Sequence, residues 1–486
     1  VRAFREKIKE ATGEEVFLII DVNGLWLNGV ESTHDMSLYP EDAMRDLLSA
    51  IDMAYLFWGR WTPIVDKLVK QCEDEGVYFG GQHFPGYWRT VNEIWCPHNH
   101  TGTHRQCLAY SLKHGAPMLN LTTWNDYLEH THVQPSANWG DTRASIVKFY
   151  SDLLKKKPME ASRFFVTSPC EARLGVPFSV EALSLQPGVK PCHVLVRLLD
   201  RSGSERARWE GPTSSGQEAV ALAEFTLDSY PDGRWLRAHV EFKPAAGEAV
   251  QLISAPINIW PDVDRGVIDR ESFSLSDRST AAGYDLSLSF SEDEPGQGRI
   301  NVNVSPKGWN FSPWAEVHLL YGGMVLKRIL RNEPTEMPWP LKDKLLSFYG
   351  GSKTTHPRTL RCGFVTPRLI TMDGTIVYGD PLWFGPEPGE KLEQTVSIPM
   401  TELRDDMILD RSPYSNHLRV KNQKAVRLIE ENGAPRGLWV SPEAGIQFRE
   451  PNVLPSGPFQ LELSLLPEKL DKRHCLMSMV EGGVYV

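Results

Sequence analysis

The sequence predicts a multidomain chain that begins with the C-terminal half of a (β/α)8 TIM barrel, continues through two all-β immunoglobulin-like sandwiches and ends in the start of a β jelly roll. Three observations support this fold class. Residues 1–158 alternate short apolar runs with helical patterns, helical periodicity stops after Pro158, and the last hundred residues form a further β-rich stretch behind a Gly- and Pro-rich segment. The predicted domains are 1–160, 161–263, 264–386 and 387–486.

The first region consists of four predicted β-strands, each followed by a helix or a loop. The helices have the amphipathic pattern of a layer that covers a sheet. The strands lie in VFLIIDVNG, AYLFWGRW, VYFGGQHFPGYW and PMLNLTTWND, and the helices in AMRDLLSAI, WTPIVDKLVKQCEDEG, TGTHRQCLAYSLKHG and TRASIVKFYSDLLKKK. A complete eight-stranded barrel takes about 250 residues, so its other half is expected upstream of Val1.

After Pro158 the sequence is typical of β-sandwiches. Alternating stretches such as CHVLVRLLD and LRAHVEFKP are separated by Gly, Pro, Ser and Asp turns, and a charged connector places a boundary near Asp264. The last region, with an Asp-x-Ser turn at Asp410 followed by Asn416 and His417, resembles the opening of laminin-G and concanavalin-like jelly rolls.

Composition excludes several classes of function. The chain has 52 Lys and Arg against 62 Asp and Glu, a net charge of -10, which argues against a nucleic-acid binder that contacts many phosphates. It has no run of about 18 apolar residues, so no membrane span is expected. Cys96, His98, His100 and His104 lie close together but fit no zinc spacing, and we expect neither a metal nor a cofactor.

The stretch that follows the last predicted barrel strand carries the chemistry. Asp126 and Glu129 lie three residues apart, and glycosidic cleavage needs two carboxyl groups, one to protonate the leaving oxygen and one to act on the nucleophile. Trp124 offers a flat apolar face for a sugar ring, and Asn125 offers donors and an acceptor for sugar hydroxyls. The alternative is that these acids only cap the next helix.

Five further residues are candidates for substrate binding because they lie at or just beyond predicted strand ends. Each also has a structural interpretation: a turn-forming Asp, packing at the lip of the barrel, or a hydrogen-bonded core histidine. They are Asp21, Trp58, His83, Tyr87 and Trp88.

With these motifs, residues 1–158 resemble glycoside hydrolase families 71 and 99, which cleave α-linked glycans. The resemblance is carried by Trp124-Asn125-Asp126-x-x-Glu129, by the tail Thr131-x-Val133-x-Pro135 and by Pro85-Gly86-Tyr87. It implies that Glu129 is the general acid and that Asp126 is the base, acting on water with inversion or on the sugar 2-hydroxyl with retention. Asp126 favours the inverting endo-α-glucanases, whereas the other two motifs favour the retaining endo-α-mannosidases.

The sequence therefore predicts a secreted, cell-surface or periplasmic glycoside hydrolase that cleaves polysaccharide at internal α-linkages. One alternative is a non-catalytic carbohydrate-binding or adhesion protein with a degenerate barrel. A second is a structural cell-surface protein with no glycan ligand, because tandem sandwiches serve equally well as scaffolds.

Overall fold

A computed structural model gives the fold of the chain. It describes residues 1–22, 41–57, 63–88, 95–96, 98–127, 130–158, 162–186, 192–214, 218–244, 248–260, 272–276, 283–294, 297–307, 312–339, 363–384, 398, 400–401, 403–404, 406–409, 418–441, 443–448, 478–480 and 483–485. The chain divides into two compact units. The first comprises 1–165, 183–190 and 214–220, and the second comprises 166–182, 191–213 and 221–486.

All the α-helices of the described chain lie in the first unit, between short strands. These elements are α1 (Arg2–Thr12), β1 (Ile19–Asp21), α2 (Glu41–Leu48), β2 (Met53–Tyr55), α3 (Pro63–Glu75), β3 (Tyr78–Phe79), β4 (Gly81–His83), β5 (Tyr87–Trp88), β6 (Trp95–Cys96), α4 (Gly102–Lys113), β7 (Leu119–Leu121) and α5 (Thr142–Leu154). Within the described residues, none of these helices is long and apolar enough to cross a membrane.

Helix α3 shows how the sequence builds this unit. It begins at Pro63, whose fixed φ suits the first helical position. Proline has no backbone N–H, but at this position an N–H would have no partner within the helix. Val65, Leu68, Val69 and Cys72 recur at helical spacing and are all buried in one apolar cluster against the sheet. The amphipathic pattern therefore fixes which face of α3 covers the strands.

Strands β1, β2, β3, β4 and β7 of the first unit pair in parallel, as the sequence predicts for neighbouring βα units, whereas β5 and β6 form an antiparallel pair. Strands β1, β2 and β3 form one sheet in that order, with Ile19 opposite Met53 and Met53 opposite Tyr78. Strands β4 and β7 form a separate parallel pair. Parallel strands need a crossover connection, and helices occupy these connections.

The predicted half TIM barrel is wrong. The described chain is dominated by β-strands, which lie in several separate sheets, and it has only five α-helices. In the described part of the region where the barrel was expected, the parallel strands form a three-stranded sheet and a two-stranded pair and not one continuous sheet. Local periodicity predicts that neighbouring strands are parallel, but closure depends on strand tilt and register shear, which periodicity does not encode.

From residue 163 onward the regular elements are almost entirely strands. They are β8 (Arg163–Pro169), β9 (Glu171–Arg173), β10 (Phe178–Leu185), β11 (His193–Leu199), β12 (Glu205–Pro212), β13 (Ala219–Phe225), β14 (Trp235–Lys243), β15 (Val250–Ile253), β16 (Ile257–Trp260), β17 (Ser272–Ser276), β18 (Tyr284–Glu294), β19 (Gln297–Pro306), β20 (Trp314–Tyr321), β21 (Met324–Leu330), β22 (Glu336–Trp339), β23 (Gly363–Thr371), β24 (Ile376–Tyr378) and β25 (Leu382–Phe384). The C-terminal strands are β26 (Leu403–Arg404), β27 (Met407–Ile408), β28 (Leu418–Val420), β29 (Val426–Glu431), β30 (Ala434–Val440), β31 (Ile446–Phe448), β32 (Ser478–Val480) and β33 (Gly483–Tyr485).

These strands form two pairs of sheets and a separate C-terminal group. The first pair has the orders β13-β10-β8-β17 and β12-β11-β14-β16-β9, with β15 beside β14. The second pair has the orders β18-β19-β22 and β21-β20-β23-β24, with β25 beside β23. The C-terminal group is the sheet β26-β27-β28-β31-β33-β32 and the hairpin β29-β30. Most of these pairings are antiparallel, as the alternating sequence pattern indicates.

Aromatic side chains fill the core of the second pair of sheets. Trp260 is almost fully buried and meets Phe364 edge-on with ring centroids 5.6 Å apart and Trp383 with centroids 5.4 Å apart. Val317 and Leu369, which lie opposite each other on β20 and β23, are also fully buried. This packing is typical of a two-sheet core.

The predicted domain boundaries at 160, 263 and 386 stay predictions. The connector around Asp264 and the linker at 387–397 lie outside the described residues.

Candidate functional site

The candidate site is built on the ends of two parallel strands. In the register of β4 with β7, His83 lies opposite Leu121, and these are the last residues of the two strands. The segment that carries Trp124, Asn125 and Asp126 leaves β7 at this edge. Because parallel strands end at one edge of a sheet, the chain places His83 and this segment on the same rim.

Hydrogen bonds connect this rim to Asp21. The Thr122 hydroxyl donates to the carbonyl oxygen of Phe57 at 2.7 Å, and the backbone N–H of Phe57 donates to Oδ1 of Asp21 at 3.1 Å. Asp21 is the last residue of β1 and lies opposite Tyr55, the last residue of β2. The C-terminal ends of β1, β2 and β7 are thus held together although β1 and β2 belong to one sheet and β7 to another.

Hydrogen bonds join the two described ends of the segment after β7, residues 122–127 and 130–135. Two hydrogen bonds join Thr123 to Thr131. The Thr123 N–H donates to the Thr131 carbonyl at 3.1 Å, and the two hydroxyl oxygens lie 2.9 Å apart. The N–H of Asp126 donates to the Thr123 hydroxyl at 3.1 Å. Val133 and Gln134 both donate backbone hydrogen bonds to the carbonyl of Trp124. The backbone of Asp126 is therefore held by the Thr123 hydroxyl.

The loop presents an aromatic ring beside a carboxylate. The side chain of Trp124 is 51% exposed, so its ring is open to a ligand. Asn125 is exposed and Asp126 is half-buried. Glu129 and Trp58 lie outside the described residues, as does the side chain of Trp88, so their roles stay predictions.

The structure explains why glycine stands at the centre of the Pro85-Gly86-Tyr87 motif. Gly86 has φ 118°, and a Cβ there would come within 2.4 Å of the His98 ring, so only glycine fits. Nδ1 of His98 donates to the Pro85 carbonyl at 2.7 Å. Tyr87 is only 1% exposed and packs with Phe84 and Cys107, so the described structure places its ring in the core.

Arg143 of α5 forms hydrogen bonds with the second half of the loop, at His130 and His132. Its guanidinium is buried, and Nη1 donates to the carbonyls of His130 and His132 at 2.8 Å each. The guanidinium carbon lies 4.1 Å from the centre of the Trp139 ring, a cation–π contact. Nη2 also lies 3.2 Å from Nδ1 of His98. The Arg143 side chain therefore connects α5 to the loop through the carbonyls of His130 and His132.

Buried histidines surround Arg143. The rings of His83 and His104 are both buried and meet edge-on with centroids 4.2 Å apart. Burial, followed by the positive charge of Arg143, lowers the pKa of His83 to about 3. Burial also lowers the pKa of His104 and of His132, and Arg143 contributes to both shifts. These rings are therefore neutral at physiological pH.

Sequence reasoning did not identify this arginine–histidine cluster. It considered His98 and His104 only as possible zinc ligands, and no group of three or more His, Cys, Asp or Glu in the described chain is arranged to hold a metal ion. Arg143 lies in an ordinary amphipathic helix. The only sequence signal was its position, next to Thr142 at the very start of α5, where a long polar side chain can reach the preceding loop.

Replacement of Arg143 by Met should destabilise the first unit by about 3–6 kcal/mol, because two hydrogen bonds to a charged group are worth about 1.5–3 kcal/mol each. Arg143→Lys should recover part of this loss, since a lysine keeps the charge but not the two-pronged geometry. The measurement is urea unfolding of the full chain. The transition of the first unit is identified as the one that Leu108→Ala shifts, because Leu108 is fully buried in that unit. Arg45→Met is the control, since Arg45 is 62% exposed and should cost under about 1 kcal/mol.

Comparisons with known proteins leave the family open. No protein-family model matches the chain, and no curated protein matches it. Among solved structures, the chain is similar to a D1–D4 ectodomain fragment of ICAM-5, at 10% identity over 57% of this chain and 68% of that chain, with a TM-score of 0.14. A similarity this low carries no argument about fold or function, and the resemblance to glycoside hydrolase families 71 and 99 stays a prediction.

Proposed function

We propose that this protein is a glycoside hydrolase that cleaves α-linked polysaccharide, of the α-glucan or α-mannan type, at internal linkages. The observation that carries the proposal is the ordered loop after β7, which holds the half-exposed Trp124 ring two residues from the half-buried Asp126 carboxylate. An apolar ring that stays exposed in a bonded loop is available to stack on a sugar, and a carboxylate beside it lies where the glycosidic bond would be placed.

Each side chain has a distinct task in this proposal. Trp124 binds the apolar face of a sugar ring, and Asn125 donates to and accepts from its hydroxyls. Asp126 acts as the base, on water or on the sugar 2-hydroxyl, and Glu129 protonates the departing oxygen. Asp21 lies on the same rim through the Phe57 and Thr122 hydrogen bonds and could accept a bond from a further hydroxyl. A polysaccharide substrate fits a secreted or cell-surface protein.

The experiment that tests the proposal is incubation of the full chain with a panel of soluble and insoluble α-glucans and α-mannans, with reducing ends and oligosaccharide products measured by chromatography. Binding is measured in parallel by sedimentation with the insoluble polymers. Trp124→Ala should weaken binding about 5–30-fold, as for the loss of 1–2 kcal/mol at a stacked aromatic residue. Phe4→Ala is the matched control, because Phe4 is an exposed aromatic residue on α1.

The outcomes separate the three functional classes. Release of internal cleavage products by the wild-type chain, with weaker binding in Trp124→Ala, supports the hydrolase. Binding without product release would overturn hydrolysis and favour a non-catalytic carbohydrate-binding or adhesion protein. If no polymer on the panel is bound or cleaved, the glycan assignment fails and a structural cell-surface role takes its place.

A further inference from the structure

A cavity of about 350 Å³ lies in the second unit, among β14, β15, β17 and β24. Its volume falls within the range of small-molecule sites, about 300–1,000 Å³. It contains none of the residues predicted for glycan cleavage. Gln251 and Ile253 lie at its margin and are exposed, so a solute can reach the interior past them.

Basic side chains are concentrated on one face of the sheet that lines this cavity. Along β14, Arg237 and His239 alternate with Ala238 and Val240, which are buried on the opposite face. In the antiparallel register of β11 with β14, Arg197 lies directly opposite His239. All three basic residues therefore share a face, and all three line the cavity.

The charges of this face do not cancel. Nη2 of Arg237 is 3.0 Å from Oδ1 of Asp380 and also donates to the Tyr378 carbonyl at 3.2 Å, so its charge is neutralised. Glu241 is 3.6 Å from Nζ of Lys243, which neutralises that pair. Arg197 has no ion pair and no side-chain hydrogen bond with any described residue. Among the described residues, the cavity therefore holds one positive charge in excess, that of Arg197.

The two arginines affect the pKa of the neighbouring histidine, His239. Burial lowers the pKa of His239, and the positive charges of Arg197 and Arg237 lower it further. His239 is thus neutral and can donate or accept a hydrogen bond without adding to the charge. Apolar lining comes from the buried Leu275, the half-buried Ile376 and the exposed Ile253, whereas Glu241, Gln251 and Ser254 are polar.

We infer that this cavity binds a small monoanionic carboxylic acid, about the size of one sugar or aromatic ring, with its carboxylate on Arg197. A planar guanidinium pairs with a carboxylate through two parallel hydrogen bonds, which suits the free fork of Arg197. One uncompensated positive charge matches one negative charge, so a monoanion is preferred to a phosphate dianion. Ile253, Leu275 and Ile376, which line the cavity, would contact the ring, and Ile253 shares the face of His239 in the register of β15 with β14. This inference does not depend on the glycan proposal.

The test is isothermal titration calorimetry of the full chain with four probes. Glucuronate and benzoate are one-ring carboxylates, glucose is the uncharged match, and glucose 6-phosphate is the dianion. We expect saturable binding of at least one carboxylate, no measurable binding of glucose, and binding of the dianion that is weaker than that of the carboxylate. Arg197→Met should weaken carboxylate binding about tenfold or more, the loss of one charge-assisted pair.

Arg331→Gln is the control variant, because Arg331 is exposed and lies outside the cavity, and it should bind the carboxylate as the wild type does. Arg197→Met removes an unpaired cation, so its unfolding temperature without ligand should equal or exceed that of the wild type, which distinguishes lost binding from lost folding. Equal binding of the carboxylate by wild type and Arg197→Met, tighter binding of the dianion, or no binding of either carboxylate would each overturn the inference.

Discussion

Asp126→Asn should lower glycan turnover by about 10²–10⁴-fold, the usual contribution of a general base. The amide keeps the shape of the carboxylate but cannot take a proton. The loop should stay in place, because Thr123 bonds the backbone N–H of residue 126 and not its side chain. Glycan binding should therefore be close to that of the wild type, and the loss should appear in the catalytic rate.

The assay compares initial rates of product release at saturating polysaccharide for the full chain and its variants. Asp42→Asn is the control, since the Asp42 carboxylate is 94% exposed on α2, outside the candidate site. A rate for Asp126→Asn that equals the control would show that another group supplies the base.

The variant Glu129→Gln tests whether Glu129 is the general acid and Asp126 is the base. A good leaving group, such as a nitrophenolate, departs without protonation, so an acid-deficient enzyme retains activity on an aryl glycoside while it loses activity on natural polysaccharide. Asp126→Asn should lose activity on both substrates. If both variants responded identically to the leaving group, the assignment of acid and base to these two residues would be contradicted.

The local structure of the first unit was largely predictable. Apolar runs ending at Asp21 and at Leu121 became β1 and β7, and the stretch TGTHRQCLAYSLKHG contains α4. These elements follow from periodicity and from Gly and Pro signals, which act over a few residues. The antiparallel strands β11 and β14 were predictable for the same reason, because one face of each is buried and the alternation is clear.

Sheet closure and the arginine–histidine cluster were not predictable. Strand β4 pairs with β7 and not with β3, although β3 ends only two residues before β4 begins. That choice depends on packing across the whole unit. Arg143 reaches carbonyls of the preceding loop, a contact set by the path of the chain and not by side-chain type. The exposure of Trp124 and the burial of Tyr87 likewise required the three-dimensional structure, because both residues follow strands in the sequence.

The same cluster determines how the first unit should respond to acid. An unfolded histidine has a pKa near 6.5, whereas burial and Arg143 lower the pKa of His83, His104 and His132 in the folded chain. Below pH 6.5 the unfolded state therefore binds protons that the folded state cannot bind. Stability is fully present above this pH and is lost as the pH falls towards the folded values, about 3 for His83.

We expect the first unit to lose about 6 kcal/mol of unfolding free energy between pH 7 and pH 5. Each of the three histidines contributes about 1.4 kcal/mol per pH unit below its unfolded pKa, or about 2 kcal/mol at pH 5. A loss of this size is comparable with the whole stability of a domain, about 5–15 kcal/mol. Urea unfolding at a series of pH values, following the transition displaced by Leu108→Ala, measures the slope.

The variant His104→Asn tests whether the cluster causes the slope. This variant removes one titrating ring, which contacts His83. Below pH 6.5, the dependence of the unfolding free energy on pH should become shallower by about 1.4 kcal/mol per pH unit. This change in slope is expected whether or not the variant alters stability at pH 7. His193→Asn is the control, because His193 is 47% exposed in the second unit and should leave this slope unchanged. Equal slopes in wild type and His104→Asn would assign acid sensitivity to other groups, because the neutral His104 ring would then contribute no difference in proton binding between the folded and unfolded chains.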